Sequence, residues 1–262
     1  MDNNKNIDQY NGHEFVEIAG IKWATCNVGA EKPTDFGLYF QWGDTQGYTA
    51  EQVGNGDGKK HFEWADYKFN NGGFEPSEEE ITKYNSTDGK TVLDVVDDAV
   101  QAAWGGAWRM PTREDFSCLI ENTTSKLVEN YNGSGVAGMV FTDKTDTSKE
   151  VFFPVAGFCV FDKRLSKLDM AFYWTSSLGS KSVKQAYLMS FYAGEQRWGN
   201  LLDLNDLDRI LGYPVRGVAD EWSQFDKYKI SESVYDLSNA KDDEIVNAYK
   251  LLTKDDDVIG KE

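Results

Sequence analysis

From Val136 to Val218 the chain is a succession of short apolar and aromatic runs, each ended by turn residues. The runs are Val136–Thr142, Val151–Phe161, Phe172–Ser176, Ala186–Tyr192 and Tyr213–Val218. Such runs, rich in Val, Phe, Tyr and Trp, predict strands. Upstream, Phe15 and Ile18, then Ile21 and Trp23, bracket Ala19-Gly20 and predict a hairpin over His13–Val28. Phe36–Trp42 is a further aromatic strand candidate. Helical period is confined to two places. Leu93, Val96, Val100 and Ala103 fall at three- and four-residue spacing. Thr112 with Asp115 has the spacing of a capping box, followed by Phe116, Leu119 and Ile120 as a buried stripe. Two helices among many short, mostly antiparallel strands predict an α+β fold.

The segment Gly43–Gly89 breaks this pattern with Gly, Asn, Asp and Lys. It also carries Phe62, Trp64, Tyr67 and Phe69, so a surface excursion that is partly packed is expected. The domain boundaries follow: a polar N-terminal tail over 1–12, a main domain over 13–219, and an acidic C-terminal appendage over 220–262 with a short helix around 243–252.

The 262 residues include 27 Lys and Arg against 44 Asp and Glu, a net charge of −17, yet 14% are aromatic. That ring content excludes a disordered chain. The acidity repels phosphate backbones and anionic membrane surfaces, so no nucleic acid and no membrane insertion are expected. Basic, neutral and sugar partners remain open. Met1–Asn11 lacks the apolar stretch of a signal peptide, and Val151–Phe161 is about half a membrane span.

An active site is hard to assemble. His13 and His61 are the only histidines, and neither sits in a triad or metal-spaced pattern. Cys26, Cys118 and Cys159 are far apart and read as free thiols. Gly54–Lys59 lacks the strand–loop–helix context of a phosphate loop and reads as a turn. The run Asp203, Asn205, Asp206 and Asp208 holds alternating acidic and amide oxygens that can wrap Ca²⁺, although the Gly and distal Glu of an EF-hand are missing. The plainer reading is a solvated acidic loop between strands, with no cofactor.

Phe172–Tyr213 mixes rings with polar planar groups. Rings cover the apolar face of a sugar while amides and carboxylates fix its hydroxyls. Tyr187, Met189 and Phe191, at alternating positions, are expected in the core. Trp174, Arg197, Trp198, Asn200, Asp203 and Asn205 are the candidate ligand-binding residues. Arg216, between Val215 and Val218, is expected to be buried against a carboxylate and carbonyl partners, and Trp108 to pack in the core.

Six blocks then run in order. They are Gly20–Gly29, Tyr39–Gly43, Trp104–Thr112, Phe153–Gly157, Tyr173–Ser177 and Gly212–Val218. Together they resemble the Fibrobacter succinogenes major paralogous domain family, common in gut Bacteroidetes. The resemblance spans residues 13–219. It implies the C-type lectin-like fold of the formylglycine-generating-enzyme branch, with paired N- and C-terminal strands and a recognition face over 174–210. The reactive cysteine pair of those enzymes is missing after Cys159, as are the Glu-Pro-Asn and Trp-Asn-Asp tripeptides of calcium lectins. The expectation is therefore a non-enzymatic module that binds a glycan or protein receptor at a cell or virion surface, with phage or retroelement-diversified proteins as the setting. A structural decoration or fibre protein, homo-oligomeric or docked to a virion, is the second expectation, and an oxidase of the formylglycine type the third.

Overall fold

The computed structural model describes residues 8–54, 61–161, 163–165, 169–193 and 202–219, with residues 229–231, 234–235, 238, 241 and 245 beyond them. The fold is α+β, mostly antiparallel strands with few helices. No helix among the described residues is long and apolar enough to cross a membrane.

The chain opens with β1 (Asp8–Tyr10), β2 (His13–Ile18), β3 (Ile21–Asn27) and β4 (Tyr39–Phe40). The helices are α1 (Ala50–Gly54), α2 (Ala99–Trp104) and α3 (Arg113–Asn122). Next come β5 (Thr123–Val128), β6 (Gly138–Asp143), β7 (Glu150–Pro154), β8 (Phe158–Val160) and β9 (Lys163–Leu165). Strands β10 (Met170–Leu178), β11 (Gln185–Tyr192), β12 (Leu202–Asp208), β13 (Tyr213–Pro214) and β14 (Arg216–Ala219) complete the main domain. A separate pair, Lys229–Ser231 with Val234–Tyr235, lies beyond it.

The hairpin forms as the turn chemistry requires. Ala19 and Gly20 both take positive φ, 52° and 80°, the signature of a two-residue turn whose twist matches the strands. Strand β3 then pairs with β14, Val218 opposite Trp23, which joins the two ends of the domain in one sheet of order β1-β2-β3-β14. The polar tail expected through residue 12 ends earlier, because Asp8–Tyr10 pairs with β2 and the Tyr10 carbonyl accepts the Trp108 indole N–H at 3.0 Å. Trp108 is buried, as expected.

In the sheet β10-β11-β12, strands β10 and β11 are buried on both faces, while β12 is mostly half-buried. Register places Ala171, Tyr173, Met189 and Phe191 on one face, where they pack with Phe116, Leu119, Phe141 and Phe153. Phe172, Trp174, Ala186 and Leu188 point the other way, into a second cluster with Trp42, Tyr67 and Tyr213. Phe62, Trp64, Tyr67 and Phe69 are all buried, so the Gly43–Gly89 excursion is packed into the body of the domain.

Helix α3 starts where the capping box puts it. The Thr112 hydroxyl accepts the Asp115 N–H at 3.1 Å, and the Asp115 carboxylate accepts the Thr112 N–H at 2.7 Å. The first helix is shorter than its apolar spacing predicts. Asp98 takes extended φ/ψ and caps α2 through the Val100 and Gln101 N–H groups. Leu93 and Val96 therefore fall outside the helix, and Val96 is 76% exposed. The helix expected around 243–252 falls almost wholly outside the described residues.

Asp98 also accepts the Met110 N–H at 2.8 Å. Burial pushes its pKa up to about 6, against the pull of these three N–H groups. A raised native pKa contributes stability that is complete below the ordinary 3.8 and disappears as pH rises through about 6. The stability margin of the parent over Asp98→Asn should therefore be wider at pH 4 than at pH 7. It should change by up to ~1.4 kcal/mol per pH unit inside that window. Urea unfolding of both chains at each pH checks this; a flat or reversed margin contradicts it.

Candidate ligand-binding groove

Trp174 is not at the surface. It is 0% exposed, its indole N–H donates to the Phe40 carbonyl at 2.9 Å, and its ring lies 4.4 Å from that of Tyr213. Alternation along β10 sends it into the core, which corrects its assignment as a ligand contact. Arg197, Trp198 and Asn200 lie outside the described residues.

Asp203, Asn205, Asp206 and Asp208 form a strand and not a loop. Successive side chains of a strand leave on opposite faces. Asp203 and Asn205 share a face with Ser190, whose hydroxyl accepts an Asn205 N–H at 3.2 Å. Asp206 and Asp208 occupy the other face, where the Lys181 ammonium sits on the Asp206 carboxylate. The four cannot converge on one ion, which corrects their reading as a calcium shell. Among the described residues no group of three or more His, Cys, Asp or Glu side chains is placed to hold a metal.

A concavity of a different kind lies elsewhere. A groove of about 650 Å³ runs between the face of β2–β3 and the edge formed by β7 and the turn before β6. Glu14 and Thr25 line one wall, and Tyr131, Asn132 and Glu150 the other, with Lys32 at one side.

Arg216 sets the spacing of these walls. Its buried guanidinium donates to the Ala24 and Thr25 carbonyls at 2.8 and 2.9 Å, to the Phe152 carbonyl at 3.0 Å, and to Asn27 Oδ1 at 2.9 Å. It therefore ties β3 to β7 directly beneath the groove. The expected carboxylate partner is not among these contacts. Four neutral oxygens and the face of Phe153, 4.4 Å away, satisfy the cation instead.

Tyr131 is the groove's aromatic group. It stacks on Phe152 with ring centroids 3.9 Å apart and planes 2° apart. Gly138 makes room beneath, since a Cβ there would come within 2.4 Å of the Phe152 ring. Burial, then the nearby Glu150 carboxylate, raises the Tyr131 pKa, so its hydroxyl keeps its proton. Hydroxyls of Thr25, Thr34, Ser134 and Ser148 share the rest of the lining with the apolar Val16, Pro33 and Val151.

Glu14 and Thr25 also line an adjoining pocket of about 280 Å³ that holds His13, Cys26 and Trp104. His13 opens β2, as expected, and stacks on Trp104 at 4.0 Å. Burial lowers the His13 pKa and raises that of the Cys26 thiol. Those shifts are opposite to the thiolate–imidazolium pair that cysteine nucleophiles use. What the groove offers is a ring and apolar side chains beside hydroxyls, an amide and charges of both signs: the means to bind and orient a ligand with both an apolar and a polar face.

Sequence reasoning assigned nothing to these walls. The available signal was Tyr131 standing alone in the turn Asn130–Gly135, a large ring where turn chemistry calls for none. No known protein family, curated protein or solved structure matches the chain at a meaningful level of similarity.

Proposed function

We propose that the protein is a non-enzymatic recognition module whose groove binds a neutral glycan displayed at a cell or virion surface. The observation that carries this reading is the Tyr131 ring held flat on Phe152 among hydroxyl, amide and carboxylate groups. A ring face and planar polar side chains are the two elements that sugar recognition combines. Two carboxylates against one lysine in the groove, on a chain of net charge −17, disfavour sulfated or sialylated ligands.

The six sequence blocks and the pairing of β3 with β14 support assignment of the fold to the C-type lectin-like class. Arg197, Trp198 and Asn200, in the stretch between the paired Phe191 and Leu202, belong to the recognition face that this class implies.

A glycan array probed with the full chain should give neutral hits and no exclusively acidic ones. Tyr131→Ala should weaken binding of a hit about 10- to 30-fold, the range expected for truncating an aromatic anchor. Tyr131→Phe, which keeps the stack, should retain most of the affinity. Unchanged binding by Tyr131→Ala, or hits confined to acidic glycans, would remove the groove from the reading.

A further inference from the structure

Besides Tyr131, the groove carries an apolar surface that a plain hexose leaves unused. Val16 of β2 and Pro33 are half-buried in its lining, beside the buried Val151 of β7. Val16 packs against the same apolar cluster that holds Val151. A hexose ring has one apolar face, and Tyr131 supplies the aromatic surface for it. Valine and proline nearby leave room for a further apolar group, whose burial is favourable in proportion to its area.

The hydrogen-bonding groups are divided between the walls. β7 is the outer strand of the sheet β5-β6-β7. The Lys149 carbonyl turns inward and accepts the Asp143 N–H at 3.0 Å, whereas the Phe152 carbonyl turns outward onto Arg216. In an antiparallel ladder the N–H and C=O of one residue point to the same side. Phe152, opposite Val140, therefore turns its N–H away from β6 and toward the groove. The Glu14 carboxylate and the Thr25 hydroxyl line the facing wall. One wall offers a backbone donor and the other offers acceptors.

A trans amide matches this division, because its C=O and N–H lie in one plane and point in opposite directions. A hydroxyl carries donor and acceptor on a single atom and cannot reach both walls. An ammonium has no acceptor for the Phe152 N–H. An acetamido group adds a methyl, which suits the patch at Val16 and Pro33. Resting on the glycan reading of this groove, we infer that its ligand is an N-acetylated hexosamine. The sugar ring lies on Tyr131, the acetyl carbonyl accepts the Phe152 N–H, the amide N–H faces Glu14 and Thr25, and the methyl covers Val16 and Pro33.

The test is a titration of the full, ¹⁵N-labelled chain with the methyl β-glycosides of N-acetylglucosamine and N-acetylgalactosamine, each beside its 2-hydroxy and 2-amino counterparts. At least one N-acetyl glycoside should bind ~10-fold or more tightly than both counterparts, the scale of one hydrogen bond and one buried methyl. The same titration should shift the Phe152 backbone amide resonance. Val16→Thr, which exchanges a methyl for a hydroxyl, should reduce the preference to below ~3-fold. Pro33→Ser, at a half-exposed position, should act in the same direction. Tyr131→Ala should weaken the N-acetyl and 2-hydroxy sugars together and leave their ratio standing. Tighter binding of the amino sugar, or N-acetylglycine methylamide binding as well as the glycoside, would overturn the inference, since the groove would then read a cation or a peptide. A full preference retained in both Val16→Thr and Pro33→Ser would do the same. Neutral array hits that all lack an acetamido group would overturn it and leave the glycan reading in place, whereas no neutral hit at all ends both.

Discussion

Arg216→Ala should unfold at a melting temperature about 10 °C or more below that of the parent. Four hydrogen bonds end on this guanidinium, and all four acceptors are buried or half-buried oxygens between β3 and β7. Removing the cation leaves the Ala24, Thr25 and Phe152 carbonyls without that donor and opens a void against Phe153. Deleting one member of a buried, fully bonded charged site costs ~3–5 kcal/mol. At this chain length each kcal/mol moves the midpoint by ~2–4 °C. Arg216→Lys should recover little of the loss, since three donors on a flexible stem cannot reach acceptors arranged for a planar fork. Calorimetry of the three chains decides it, and a variant within ~2 °C of the parent would show that the guanidinium holds nothing together. The same substitution should weaken groove binding in whatever fraction stays folded, because Arg216 fixes the distance between the walls.

The parts of this fold legible in the sequence are those decided within a few residues. The Ala19-Gly20 turn, the Thr112 capping box and the alternation of Met189 and Phe191 are local, and each element stands where the pattern puts it. Tyr187 is half-buried, with its hydroxyl on Ser180 and the Arg113 guanidinium over its ring. Failures begin where a second interaction competes. Apolar spacing over Leu93–Ala103 favours one helix, but Asp98 spends its carboxylate as a cap and starts the helix late. Leu202–Asp208 reads as a loop because its acids dominate, although Leu202 and Leu204 share the face that packs on Met189 and Phe191.

The groove was illegible for a different reason. Its walls come from residues 14–34 and 131–152, which no local rule connects. What joins them is Arg216, near the other end of the domain. Its burial was legible from its apolar neighbours, whereas its partners, backbone carbonyls set by β-pairing, leave no trace in side-chain identity.

Trp174→Ala should separate core from ligand contact at the position where sequence and structure disagree most. If Trp174 met a ligand, truncation would lower affinity and leave the unfolding curve in place. Its geometry predicts the reverse. The ring is buried to 0% exposure between Tyr213 and Leu188, and its N–H is the donor to the Phe40 carbonyl. The indole of Trp42 donates to the Thr175 carbonyl one residue on, at 2.8 Å, so a void here also loosens the strand that anchors a second tryptophan. Loss of a fully buried tryptophan costs ~3–5 kcal/mol, through transfer and cavity terms together. Trp174→Phe keeps most of the packing but removes the indole donor to the Phe40 carbonyl, and should cost ~1 kcal/mol. In urea the midpoints should therefore fall in the order parent, Phe variant, Ala variant, with unchanged slopes. Trp174 does not line the groove, so the folded population of each variant should bind the glycan hit with parental affinity. An Ala variant as stable as the parent but weaker in binding would return Trp174 to the surface and make the hairpin face, not the groove, the site of recognition.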